Sequence, residues 1–383
     1  MDFQLSDEQQ MLRDLLARYL DEQYGFDRRM AAVASPHGWR PECWQAFAGE
    51  LGILSAAFPE AQGGLGGGAV ENLIVMEAFG RALVLEPYLS TVVLGGGLLK
   101  RAGGAVAETF VPNIMAGEVR IAWAQDEVQS RYCLHDVQLA ARRDGDAFVL
   151  SGHKTVVLGA PGASHLLVSA RSAGQRRDRA GISLLLVDKA SAGIRTQDYP
   201  TVDGGRAAEV WFDEVRVPAA NLIGAEGEGL ALLETVFDEA LLALCAEAVG
   251  IMQKMLDDTV AYAKERRQFG VPICAFQALQ HRMVDMHIHI QQATALTYLA
   301  TLQLGGTPRE RAMAASAAKV RVGKALRAVG QGAVQIHGGM GITEELAVGH
   351  YFKRATVIEQ QFGSVDHHLR RYGELAGETV HES

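Results

Sequence analysis

The sequence predicts an α+β fold in which helices come first, a small all-β stretch follows, and long helices complete the chain. Apolar residues recur at the helical period through the opening third. Over 120–224 the pattern changes to short alternating or β-branched runs, such as AFVLSG, KTVVLG, HLLVSAR and GISLLLVD, separated by turn signals. After Gly224 the helical period returns in runs long enough to pack as an antiparallel bundle.

Element by element, Ser6 can cap the first helix with Gln9 at the capping-box position, and Met11, Leu12, Leu15, Leu16, Tyr19 and Leu20 follow in helical register. A second helix is expected over 41–51, ending before the glycine-rich turn FPEAQGGLGGG. Further helices are expected over 70–83, 89–101 and 105–117. Arg143-Asp144-Gly145-Asp146, Pro161-Gly162 and Asp203-Gly204-Gly205 punctuate the β stretch. The long helices should cover 230–265, 275–304 and 308–335, with a shorter one after Thr343. From Gly373 onward the tail is polar and expected to fray.

The 48% hydrophobic and 21% charged composition is that of a soluble globular chain with a sizeable core. A formal net charge of -9 argues against a nucleic-acid partner and a membrane surface. The N-terminus MDFQLSDEQQ is no signal peptide, and no stretch is apolar enough for a membrane span. Cys43, Cys133, Cys245 and Cys274 share no metal or redox spacing and read as reduced thiols of a cytoplasmic protein.

Several chemical motifs are excluded. The glycines at 63–68 and 95–97 lack the Lys-Ser/Thr of a P-loop and the strand-turn-helix context of a dinucleotide fingerprint, so they read as turns and close packing. His287 and His289 point to different faces of a helix, and His367 and His368 are adjacent, so neither pair suits a metal. Arg176, Arg177 and Arg179 form a basic cluster, read either as a site near a phosphate or, preferably, as a solvated loop.

Two segments carry chemistry. Arg266-Arg267-Gln268-Phe269-Gly270, followed by Ile273 and Phe276, combines guanidinium donors, an amide and rings in a way that suits a pyrophosphate. Gln335-Ile336-His337-Gly338-Gly339 offers paired glycines that let backbone N–H groups approach a phosphate or ribose. Each segment alone reads equally well as a helix cap and turn.

With those segments in order, the chain resembles the acyl-CoA dehydrogenase family over nearly its full length. The matching stretches are PEAQGGLGGG, EAFGRAL, GHK, FDEVRVPAANLIGAEGEG, YAKERRQFGVPICAFQALQHRMVDM and QIHGGMGIT. The resemblance implies an N-terminal helical domain over 1–118, a middle β-barrel over 119–227 and a C-terminal four-helix bundle over 228–383. It implies FAD shared across a dimer interface, an acyl-CoA substrate desaturated at its α,β bond, and electron-transfer flavoprotein or a similar acceptor. In the family a glutamate removes the α-proton while the β-hydrogen leaves as hydride to the flavin.

The family's motifs fall unequally on this chain. On the adenosine side, Arg266, Gln268 and Phe269 match R-x-Q/T-F-G, with Ile273 and Phe276 beside them, and Gln335, Gly338 and Gly339 match Q-x-x-G-G. On the flavin-ring side, the family's TEPxAGSD is replaced by Trp123-Ala124-Gln125-Asp126-Glu127-Val128-Gln129-Ser130-Arg131. Val156 and Leu158 stand where the flavin-stacking Trp and a hydroxyl donor belong, and a Leu side chain supplies no hydroxyl. Counting on from Tyr351, Gln361-Phe362-Gly363-Ser364 stands where most members carry E-G-T, and a neutral amide is too weak a base for proton abstraction.

The other family position for a base matches Ala240; Glu239 points about 100° away from it, and Glu247 lies roughly 10 Å along the helix. Glu359 becomes a candidate if the terminal loop shifts register. The stretches ALCAEAVG, QALQHRM, HYFKR and FGSVDHHLRR are most similar to the small subunit of two-gene enzymes such as pimeloyl-CoA dehydrogenase and the bacterial steroid side-chain enzymes. Three readings stay open: a heterotetramer with a related catalytic chain and no catalytic residue here, a homotetramer using Glu239, Glu247 or Glu359, and a flavin-free scaffold. A steroid or dicarboxylyl thioester suits the first by analogy.

Overall fold

The computed structural model describes residues 5–377. The opening helices are α1 (Asp7–Gln23), α2 (Phe26–Ala34), α3 (Pro41–Ala48), α4 (Ala69–Ala82), α5 (Gly97–Ala102) and α6 (Gly104–Met115). Ser6 and Gln9 form the expected reciprocal capping box on α1. Helix α2 was not anticipated, and the helix expected over 89–101 is π-wound over Leu89–Gly96 before it tightens into α5. Packing demands glycine in this stretch: a Cβ on Gly95 would lie 2.5 Å from Ile121 Cδ1, and one on Gly96 2.5 Å from Phe58 Cζ. Such π turns are uncommon inside helices.

The β segment holds β1 (Ile121–Ala124), β2 (Ala140–Asp144), β3 (Ala147–Leu158), β4 (His165–Arg171), β5 (Ile182–Asp188), β6 (Ile194–Pro200), β7 (Arg206–Pro218) and β8 (Leu222–Ile223). These form one 8-stranded sheet in the order β6-β7-β3-β2-β4-β5-β8, with β1 on β4. Strands as far apart in that order as β5 and β7 share one core, through Leu185, Val187, Phe212 and Val215. The sheet therefore curls in the manner of a barrel, while its end strands β6 and β8 pair only on one side.

The helical half comprises α7 (Gly229–Glu265, 37 residues), a hairpin of β9 (Arg267–Gln268) and β10 (Val271–Pro272), then α8 (Gln277–Leu302), α9 (Pro308–His337), α10 (Ala347–Gln360) and α11 (Val365–Gly377). The single shorter helix expected after Thr343 is two helices, because Phe362 and Gly363 take positive φ values of 62° and 117° and break the run. Gly373 to Gly377 ends α11, so fraying from Gly373 is corrected there; the rest of that tail lies outside the described residues. No helix among the described residues is long and apolar enough to cross a membrane.

By contact density the chain divides into two compact units. Among the described residues, one contains 5–30, 69–84 and 241–377, and the other 31–68 and 85–240. In the first, α9 packs against α8, α10 and α11, and α4 packs against α1 and α8. In the second, the curled sheet is joined by α3, α5 and α6, with Trp44 donating its indole N–H to Gly117 O at 2.9 Å.

Candidate functional site

The first carrying segment opens where α7 ends. Arg266 N–H bonds to Tyr262 O at 2.8 Å, and Ile273 N–H bonds to Arg266 O at 2.8 Å, closing the base of the β9–β10 hairpin. Sequence reading gave only a helix end and a turn here. Phe269 and Gly270 form the hairpin tip with φ of 52° and 80°. Successive positive φ values are what a two-residue hairpin turn requires, and a phenylalanine seldom adopts them. The tip ring is 92% exposed and meets Phe276 edge to face at 6.1 Å. Arg266, Gln268 and Phe276 are exposed, whereas Ile273 is buried beneath them.

The second segment closes α9. Gln335 is exposed, and Gly338 takes φ 61°, ψ -141°, a conformation reserved for glycine. A Cβ on Gly338 or Gly339 would meet nothing within 4 Å, so this backbone is open to an approaching group. His337 and Tyr262 join the two segments, their rings stacked at 4.3 Å and 27°. All eight expected residues therefore lie in one compact unit, on two segments tied by one ring pair. A cofactor's diphosphate end fits this donor set: guanidinium, amide and unobstructed backbone N–H.

The other half of the family's site is built from the sheet, and its chemistry differs. Lys154 is fully buried and donates to Glu127 Oε1 at 2.7 Å, Gln125 O at 3.0 Å and Ser169 Oγ at 3.1 Å. Burial alone would raise the Glu127 carboxyl, but the Lys154 ammonium and hydrogen bonds from Lys154, Gln129 and Leu139 hold it below its ordinary range. Val156 sits on a bulge of β3 with φ 50° and is half exposed. The nearby Thr155 hydroxyl is committed to Glu209 at 2.9 Å, and the same carboxylate accepts from Val156 N–H and Tyr199 O–H. No hydroxyl stands at 156 or 158, so the ring side does not fit the family's flavin contacts. Glu127 and Glu209 were not singled out in the sequence; strand alternation gives no sign of such clusters.

Each alternative carboxylate is engaged. Glu239 pairs with Arg101, Glu247 takes a forked pair from Arg354 at 2.6 and 2.9 Å, and Glu359 pairs with Arg327. Glu359 and Arg327 line a cavity of about 590 Å³ together with Lys324, Gln331, Ser364 and Asp366. The basic cluster is exposed but paired: Arg176 and Arg177 bind the buried Asp136, and Arg179 binds Glu234. His289 Nδ1 faces Arg321 at 2.8 Å.

The turn at the family's usual base position is held from behind. Lys319, 1% exposed, donates to Ile358 O at 2.6 Å and Gln361 O at 2.8 Å, capping the end of α10. His368 donates through Nε2 to Phe362 O at 3.0 Å. Burial, with the Lys319 ammonium and His367 adding to it, pushes the His368 imidazole down to about 3. The unfolded side chain titrates near 6.5, so stability is complete above that pH and falls as pH drops from there toward 3. The expected loss is about 1.4 kcal/mol per pH unit. Urea unfolding of wild type and His368→Gln at pH 6.5 and 4.5 checks this; equal pH dependence in both would refute it.

Family models match in chain order: acyl-CoA dehydrogenase N-terminal domain over 6–118, middle domain over 123–215 and C-terminal domain over 227–374. The probable acyl-CoA dehydrogenase YngJ of Bacillus subtilis is 32% identical, covering 94% of this chain and 95% of its own. The ChsE4-ChsE5 complex from Mycobacterium tuberculosis contains a chain 26% identical with a TM-score of 0.89, covering 99% of both chains. The Tcur3481-Tcur3483 steroid ACAD G363A variant is 28% identical with a TM-score of 0.88, covering 98% of this chain and 99% of that one. By its three matched domains and its full-length relatives, the chain belongs to the acyl-CoA dehydrogenase family.

Proposed function

We propose that this chain is a subunit of a cytoplasmic FAD-dependent acyl-CoA dehydrogenase, working as a heterotetramer with a related catalytic chain. The chain supplies the pyrophosphate and adenosine half of the flavin site through Arg266, Gln268, Phe269, Ile273, Phe276, Gln335, Gly338 and Gly339. FAD, when bound, supplies the hydride acceptor for α,β-desaturation of an acyl-CoA thioester. The partner supplies the ring pocket and the carboxylate base, and electron-transfer flavoprotein or a similar acceptor takes the electrons. The three stretches 1–118, 119–227 and 228–383 act as the N-terminal, middle and C-terminal domains of the family plan.

One observation carries the reading: the diphosphate-side donors gather on exposed segments, while the ring side lacks its hydroxyls and Glu239, Glu247 and Glu359 are all ion-paired. A carboxylate held by a guanidinium has its oxygens committed to that partner and is not presented to a substrate's α-proton. The two-protein composition of ChsE4-ChsE5 and of Tcur3481-Tcur3483 supports a two-chain assembly, and the latter's steroid designation supports a bulky acyl group.

The test is expression with and without the partner chain. Alone, the chain should purify without stoichiometric FAD and show no desaturation; co-purified with the partner, the pair should be yellow and active. Stoichiometric FAD and turnover in the isolated chain would refute the proposal.

A further inference from the structure

The geometry points to Tyr262 and His337 as a positioning pair that sets the hairpin and the glycine turn at the spacing a nucleotide diphosphate needs. This rests on the half-site reading above and goes beyond it, because neither residue is among the groups that would touch the ligand.

Each ring carries one of the two segments. Tyr262 lies on the last turn of α7, and its carbonyl accepts the Arg266 N–H at 2.8 Å, so the arginine hangs from it directly. His337 is the last residue of α9 and immediately precedes Gly338, whose N–H bonds to Gln335 O. The stacked rings thus couple two helix ends that are 75 residues apart in sequence, and the Tyr262 hydroxyl reaches His337 O at 3.5 Å. His337 is 6% exposed, and its Nδ1 bonds to Ala333 O at 2.9 Å, which fixes the ring plane against α9. At the hairpin tip beyond, Phe269 is 92% exposed and meets only the exposed Phe276 ring among the described residues' aromatic contacts. A donor set split between two segments binds a diphosphate well only if their separation is fixed beforehand; otherwise ordering them opposes binding.

ADP is the suitable probe, since it carries the adenosine and pyrophosphate without the flavin ring. Calorimetric titration of the full chain with ADP should show binding by wild type. Tyr262→Phe, which keeps the stack, should bind within about twofold of wild type. Tyr262→Leu and His337→Asn, which keep bulk or the Ala333 bond but lose the ring pair, should bind about fivefold to tenfold more weakly. Their unfolding midpoints should stay close to that of wild type. Wild-type affinity in Tyr262→Leu overturns the positioning role, as does a Tyr262→Phe variant as weak as the leucine. If the leucine and asparagine variants do not fold, the ring-preserving Tyr262→Phe/His337→Phe double variant decides, and loss of ADP there also overturns it. A wild-type chain that takes up no ADP removes the half-site reading itself, and this inference with it.

Discussion

Replacing Glu127 by Gln should cost about 3–5 kcal/mol of stability, one of the largest effects of any isosteric change in this chain. The side chains of Lys154 and Glu127 are 0% and 5% exposed, so the ammonium has no recourse to water once its counter-charge goes. Its remaining acceptors, Gln125 O and Ser169 Oγ, are dipoles without net charge. The carboxylate meanwhile accepts backbone N–H bonds from Gln138 at 2.9 Å and Leu139 at 3.1 Å, so it also holds the approach to β2. A second substitution, Lys154→Met, removes the stranded charge, and the double variant should recover more than half of the loss. Urea unfolding of the four proteins completes the cycle. A single-variant loss under about 1 kcal/mol would show that the pair is solvated and does not hold the segment. The result bears on the proposed function, in which Gln125 to Glu127 takes the place of the family's flavin-side segment. That segment is fixed here by its own buried charges.

Much of this architecture could be read from pattern alone, and the exceptions lie where local periodicity is silent. The α1 capping box, the long helices and the change from helical to strand period are local signals, and they appear where expected. The π winding of Leu89–Gly96 lies where Gly95 and Gly96 seat against Ile121 and Phe58, whereas the left-handed Phe269 answers its own two-residue turn. No residue-by-residue propensity reports such contacts. The site divides in the same way. Arg266, Gln268 and the Gly338-Gly339 pair were legible as residue types at a spacing. The Tyr262–His337 stack that joins them depends on two helix ends meeting, which a single sequence does not display. The ion pairs on Glu239, Glu247 and Glu359 were equally hidden, because each partner lies far away in the chain.

Gly250→Ala should destabilise the protein by about 3 kcal/mol, against what helix propensity alone predicts. In a helix interior alanine is favoured over glycine by about 1 kcal/mol, so an isolated α7 would be strengthened by the change. Here α4 and α7 touch through their backbones: a Cβ on Gly250 would lie 1.9 Å from Glu77 O, and one on Gly80 2.0 Å from Glu247 O. The contact is reciprocal, each glycine seating against the carbonyl of the facing helix, and backbone cannot turn aside as a flexible side chain can. Adding either methyl must push the helices apart. Both helices are also tied to α10, α7 through the forked Arg354–Glu247 pair and α4 through the hydrogen bond from the Tyr351 hydroxyl to Arg81 O, and separation would strain these ties. Gly80→Ala should therefore behave like Gly250→Ala, and the double variant should lose less than the sum, since the first methyl already opens the gap the second needs. Denaturant midpoints for the three variants decide the point. A neutral or stabilising Gly250→Ala would mean that the helices cross at a distance with room for side chains, and the close α4–α7 contact would have to be abandoned.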